Sequence, residues 1–469
     1  MSAGEGLLAG DPKSRLMAAA IIGAGAAVCL WLNLPGHLSY DSVVQLAEGR
    51  AAVYGGHHPP VMSWLLGVLD ALHPGAVLFV VLDTLLIFGA LTAFVLLGRR
   101  FSRLAVVLAA FFMAIPQLAI YPAIVWKDVL FAGSATAGFA CLAWAARRAK
   151  AKGGGYWLLL GAGLSLLTLA ALARQNGAVA LPFAAAAVGW IASDSAGGDL
   201  GRGWRHGLGF LAGAVALAVA GSAALSTRVQ TPAPIEDEWE SLQVYDIAGA
   251  LARAPGLGLG VLHAKAPRIE ALLRDAGARL YSPVRIDPLA PVVEQVDAGG
   301  EAAGLIGAQW RGLALRHPLL YLRVRAQAFR WVFLTPRPKA CVAIYTGVDG
   351  PAQEMIAAGL SPRKTIRDDA LADYAFAFAT TPVYSHLAFA AGGVLLLVLL
   401  VRRRRPEDVA VAAMLGAAVA FAGSFAVISI ACDYRYLYDL DVAVIAAALY
   451  WTASLGPGAW GFPKLRRRG

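Results

Sequence analysis

Ten stretches of this chain, each roughly 15 to 23 residues long, are built almost wholly from apolar residues, and that recurrence leaves few folds open. About 20 apolar residues coiled as an α-helix match the roughly 30 Å hydrocarbon core of a bilayer, and a helix satisfies its own backbone hydrogen bonds there. The stretches lie at about 16–34, 75–97, 104–120, 129–146, 156–173, 178–192, 208–227, 386–401, 409–431 and 440–455. The sixth and eighth are short for a crossing. Hydrophobic residues make up 58% of the chain, charged residues only 15%, and mean hydropathy is +0.62. Such a composition belongs to an all-α polytopic membrane protein. The first run follows Lys13 and Arg15 and is long enough to span, and Val28 before Cys29 spoils a small-residue cleavage site. It reads as a retained helix, not a cleaved leader.

The net charge of +10 would raise the question of nucleic acid in a soluble protein, but here the cations lie between apolar runs and no nucleic-acid motif accompanies them. Placing the N-terminus in the cytoplasm puts nineteen Lys and Arg on one side, in short loops and tails. The opposite short loops then hold Arg50, Lys127, Arg174 and Arg435, one apiece. That asymmetry predicts both termini inside. An Arg-over-Lys, Gly- and Ala-rich composition points to a high-GC bacterium, and so to its plasma (inner) membrane. The expected organisation is an N-terminal transmembrane module (1–227), an extracytoplasmic, mostly helical domain (228–385) and a C-terminal transmembrane module (386–469). Within the domain, residues 317–336 mix arginines with large apolar residues at helical spacing, as an interfacial helix does. Cys341 and Cys432 share the outer compartment in this topology, which allows a disulfide.

Polar chemistry concentrates in the first outer loop, residues 35–60. On a helix starting near Ser39, Asp41, Gln45 and Glu48 share one face and Val43, Val44 and Ala47 take the other. Asp41 is then either an N-cap or first-turn acid serving the helix end, or a general base held ionised at the membrane surface. His57 and His58, between two glycines and two prolines, sit where the backbone turns sharply before a short helix from Val61 to Leu72. They either bond loop carbonyls, orient a phosphate, or bind a divalent ion with Asp41, so metal stays open.

Three further loops on that side each carry a cation beside aromatic or polar residues. Lys127 follows Trp126 and precedes Asp128, with which it could form a mutually neutral pair; Arg174 lies in ARQNG; Arg435 lies between Tyr434 and Tyr436. Three such cations in a chain that otherwise avoids them on this face argue for a site that binds a phosphate.

An acid in the first outer loop, the H-x-P-P turn of His57, His58, Pro59 and Pro60, many spans and a late outer domain together resemble the GT-C superfamily of integral-membrane glycosyltransferases. Protein O-mannosyltransferases and lipid A aminoarabinose transferases are among its members. This chain has Ser42 after Asp41 where many of them have an Asp-Glu pair, and His58 where a lysine is common. The resemblance implies a GT-C-like bundle of about ten helices and a cell-envelope polysaccharide-type chemistry: transfer of a hexosyl or pentosyl group from a polyprenyl-phosphate donor to an extracytoplasmic glycan, lipid or protein hydroxyl. Asp41 would be the base, Lys127, Arg174 and Arg435 would bind the donor phosphate, and His57, His58, Asp128, Tyr434 and Tyr436 would position substrate. No cofactor is implied beyond a divalent cation. A ligase or polymerase of the same fold would use the same donor. The rival from another class is a lipid-linked-sugar flippase or proton-coupled transporter using Asp83, an acid in the middle of the second apolar run.

Overall fold

A computed structural model describes residues 12–55, 58–98, 103–151, 153–231, 235–297 and 303–455. From the N-terminal end, α1 (Pro12–Asn33) leads to two short helices, α2 (Tyr40–Ala51) and α3 (Pro60–Leu72). There follow α4 (Val77–Leu97), α5 (Arg103–Ala114), α6 (Pro116–Ala119), α7 (Lys127–Arg148), α8 (Gly154–Ala173), α9 (Ala180–Asp194) and α10 (Leu200–Ser226). After a long central segment come three more apolar helices, His386–Arg403, Pro406–Ile428 and Tyr438–Ala453.

Eight helices among the described residues are long and apolar enough to cross a membrane. The fold is all-α and polytopic. The expected third span is broken, since α5 and the turns at Pro116–Ala123 meet at 70°. Pro116 is the cause: Ile115 ahead of it is extended, with ψ 150°, because a residue preceding proline is driven out of the helical region. The expected tenth span is a helix of only 16 residues carrying buried Asp439 and Asp441, short for a crossing. Trp31, Leu85, Leu158, Val219 and Leu395 are exposed, whereas Phe79, Phe94, Phe131, Phe139 and Phe421 are fully buried. These helices are apolar all round because one face meets protein and the other meets lipid.

The central segment has two parts. Helix α11 (Ile235–Arg253), with helices Ala303–Arg316 and Pro318–Leu334, encloses its own core around Tyr245, Leu262, Ile306 and Val324. Residues 341–384 instead add Cys341, Ile344, Met355 and Leu371 to the core of the bundle. The Pro318–Leu334 helix buries Val324, Ala328 and Val332 and exposes Leu319 and Leu322, the pattern of a helix lying on a surface.

Four ties hold the segment to the bundle. Buried Arg325 pairs with Asp246 at 3.0 Å and donates to the Ser429 carbonyl at 2.8 Å. Cys341 and Cys432 form the disulfide that the topology allows. A two-residue strand, β1 (Tyr54–Gly55), pairs in parallel with β2 (Val229–Thr231). His37 Nδ1 accepts the Gly347 N–H at 3.0 Å while its Nε2 bonds Asn33 Oδ1 at the same distance. Burial lowers the His37 pKa to about 4, against a smaller opposing effect of Asp368, so the ring is neutral and serves both bonds.

Candidate active site

Helix α2 is placed from both ends. Ser39 is its N-cap, with ψ 179°, so Asp41 lies inside the first turn and is not the cap. The Ser39 N–H donates to Ser42 Oγ at 3.3 Å, and Trp126 Nε1 donates to Ser39 Oγ at 2.8 Å. Ser42 in turn donates to the Val125 carbonyl. The start of α2 is thus pinned to the residues that lead into α7. At its other end Gly49 meets Gly67 of α3 so closely that a Cβ on either would strike the other's backbone. Glu48 then closes the intervening loop, accepting from the Gly55 N–H at 2.8 Å and from Ser63 Oγ at 2.6 Å.

The three expected cations converge around this helix start. Arg435 Nη2 lies 2.7 Å from Asp41 Oδ2 and 3.2 Å from Asp433 Oδ2, and its Nε lies 3.8 Å from Asp128 Oδ2. Its guanidinium also lies over the Trp126 ring at 4.9 Å. Arg174 pairs with Asp128 inside a wall made by Phe421, Phe425 and Tyr436, whose ring centres lie 5.4 to 5.7 Å away. Lys127 Nζ is 3.1 Å from His58 Nδ1, and His58 Nε2 is 3.9 Å from Asp41 Oδ1. One helix start, three carboxylates and three cations therefore form one connected cluster.

Electrostatics separates the carboxylates. Burial alone would raise Asp41, but Arg435, His58 and Lys127 more than offset it and hold the carboxyl below its ordinary range. Burial raises Asp433, Arg435 offsets it only in part, and the neighbouring Asp41 charge adds to the rise. Burial lowers Arg174 to about 10, still protonated at neutral pH.

Several expectations change at this point. Lys127 and Asp128 do not pair with each other, because consecutive helix residues point about 100° apart: Lys127 reaches His58 while Asp128 turns inward to Arg174. Asp128, 2% exposed, faces the two guanidiniums of Arg174 and Arg435 and does not stand open at the surface. Tyr434 is not brought to the site either. It is fully buried, stacks on His386, donates to Asp441 Oδ2 at 2.6 Å and accepts from Gln117 Nε2 at 2.9 Å. Tyr436 reaches the cluster as a wall of the Arg174 box, stacked on Phe425. Arg50, the fourth cation of that face, pairs with Asp70 at 2.6 Å, away from the cluster. His57 lies outside the described residues. Among those described, no three His, Cys, Asp or Glu side chains gather to hold a metal ion. Asp433 is the residue that sequence reasoning missed; its only signal was its place two positions before Arg435.

Asp83 is buried in α4, and neither carboxyl oxygen has a hydrogen-bond partner among the described residues. No ion pair among the described residues joins it to the cluster.

No family model matches the chain, and neither does any curated protein. Among solved structures, the archaeal oligosaccharyltransferase AglB from Archaeoglobus fulgidus, in complex with an inhibitory peptide and a dolichol-phosphate, is similar with a TM-score of 0.40 and 14% identity, over 92% of this chain. The chain spans 50% of the length of that protein, a likeness too distant to carry an assignment. The fold and the cluster by themselves define a polytopic membrane protein with a part-buried ionic site at the ends of several of its helices.

Proposed function

We propose that this protein is a membrane glycosyltransferase of GT-C type. It moves a sugar from a polyprenyl-phosphate donor to an acceptor hydroxyl at the extracytoplasmic face of a bacterial inner membrane. The observation that carries the reading is the convergence of Lys127, Arg174 and Arg435, from three separate loops, around Asp41. A lipid-linked phosphate has its tail in the bilayer and its charge at the interface, where such a cluster at the ends of spans would meet it. Asp41, the part-exposed carboxylate, takes the proton as the acceptor oxygen attacks the anomeric carbon; Arg435 and Lys127 stabilise the charge that builds on the leaving phosphate. A single displacement inverts the anomeric centre. Arg174, walled in by aromatic rings, acts through Asp128 by holding Arg435 in place. The central segment, 228–385, would select the acceptor. A divalent cation joining Asp41 to the donor phosphate is the variant of this reading that a chelator tests.

The experiment is sugar transfer by purified protein in lipid from a panel of synthetic polyprenyl-phosphate sugars. Release of polyprenyl phosphate from one of them supports the reading and identifies the sugar; no release from any, with intact protein, overturns it. A proton-coupled transporter is the second reading, favoured by the buried carboxyl of Asp83, which has no hydrogen-bond partner among the described residues. It predicts sugar-lipid movement across vesicles that Asp83→Asn abolishes.

A further inference from the structure

We propose that the Asp41–Arg435 ion pair is a resting clasp: the donor's phosphate draws Arg435 away from Asp41, and the base is released only once the donor is seated. The inference rests on the glycosyltransferase reading above and adds an order of events to it.

Arg435 faces three carboxylates that differ in exposure. The Asp41 side chain is 27% exposed, Asp433 19% and Asp128 2%. An anion arriving from the interface therefore meets the Asp41 side of the guanidinium first. Asp433 and Asp128 stay behind as the pivot, and the Trp126 ring under the guanidinium leaves it able to turn in its own plane. A phosphodiester carries one negative charge, as Asp41 does, so it can take that carboxylate's place at Arg435. The cluster then holds one negative charge more, which itself favours proton uptake by the released Asp41.

The exchange is needed chemically. A carboxylate gripped by a guanidinium is a poor proton acceptor, since the contact favours its ionised form. With Arg435 drawn onto the phosphate, the acceptor oxygen forms its bond to the anomeric carbon while the carbon–oxygen bond to phosphate breaks. The acceptor proton goes to Asp41, and the electron pair goes to the phosphate oxygen, whose added charge falls on Arg435. When Asp41 returns its proton to water it competes again for Arg435, which helps expel the product.

The test is binding of a synthetic polyprenyl methyl phosphate, a phosphodiester with the donor's single charge and no sugar to transfer, to the full chain in lipid nanodiscs, measured for wild type, Asp41→Asn, Arg435→Gln and the double variant. The clasp predicts that Asp41→Asn binds roughly tenfold more tightly than wild type, that Arg435→Gln binds more weakly, and that adding Asp41→Asn to Arg435→Gln changes nothing. Equal tightening in both backgrounds would mean simple repulsion between carboxylate and phosphate, and it overturns the clasp, as does no tightening at all. If Arg435→Gln fails to fold, Arg435→Met, which also removes the charge, takes its place in the comparison. Binding without this coupling removes the clasp and leaves the glycosyltransferase reading standing, whereas no binding by the wild type removes both.

Discussion

Lys127 and His58, 69 positions apart in the chain, meet at 3.1 Å between Nζ and Nδ1. An ammonium only donates, so Nδ1 accepts, and a neutral His58 ring carries its proton on Nε2, the nitrogen that faces Asp41 at 3.9 Å. Lys127 thus does two things in the proposed site: it offers positive charge to the phosphate and sets the tautomer of the ring beside the base. Lys127→Met should lower kcat/KM about 100-fold, the usual effect of removing a charge-stabilising donor, and Lys127→Arg should restore part of it. Steady-state kinetics of sugar transfer checks this; an unchanged kcat/KM in Lys127→Met would remove the residue from the mechanism.

The pH profile follows from Asp41. Its carboxyl is held below the ordinary range, so the proposed base is ionised at neutral pH before donor binds. The acid limb of kcat/KM should therefore fall below about 3.9, the unperturbed aspartate value. In Arg435→Gln the burial remains and the main offset is gone, so the limb should move above that value. The clasp adds that the limb of kcat lies above that of kcat/KM, because donor binding releases Asp41. For stability, the folded value lies below the unfolded one. The stabilisation is complete above about 3.9 and is lost as pH falls through the folded value. Rate and melting curves recorded against pH test both statements.

The disulfide lies next to the site, since Cys432 immediately precedes Asp433. Cys341→Ser with Cys432→Ser should lower stability by about 2 to 5 kcal/mol and raise the donor KM, because the turn carrying Asp433 and Arg435 loses an anchor. Thermal melting and donor titration of the double variant measure the two effects separately.

Arg325 offers a control. It is buried with Asp246 outside the ionic cluster, and removing one partner of such a pair leaves a buried charge uncompensated. Arg325→Met should cost about 3 to 5 kcal/mol in melting experiments while leaving kcat unchanged in the protein that remains folded, since Arg325 touches none of the cluster's charges. A rise in donor KM would come through Ser429, which it anchors.

Metal removal gives a further prediction. The cluster's carboxylates are already met by two guanidiniums, and the Lys127 ammonium lies beside them against His58; together they supply the positive charge a metal would bring to the phosphate. Sugar transfer should persist after EDTA treatment and dialysis. Loss that is rescued by a divalent ion would point to the metal-bridged variant.

The helices were legible because apolar runs of span length have few alternatives in a membrane, and each expected stretch but the third, broken at Pro116, falls on a single helix. The break at Pro116 was written in the sequence as well, though hydropathy averaged across it. Lys127, Arg174 and Arg435 stood out because, in the expected topology, the short loops on their side carry so few cations. Their partners were hidden. That Asp128 turns to Arg174 and not to its neighbour Lys127 depends on which way each faces in the packed bundle. The two parts of the central segment were equally hidden, because residues 341–384 pack on helices far away in sequence. Asp433 was invisible for a related reason, since one acid beside an arginine and two tyrosines looks like many interfacial turns until Asp41 is brought across from the start of the chain.

The most direct test of the account is turnover by Asp41→Asn. With a polyprenyl-phosphate sugar that the wild type uses, the variant should bind donor at least as tightly yet release polyprenyl phosphate at least about 100-fold more slowly. Release at the wild-type rate from a variant that binds normally would contradict it.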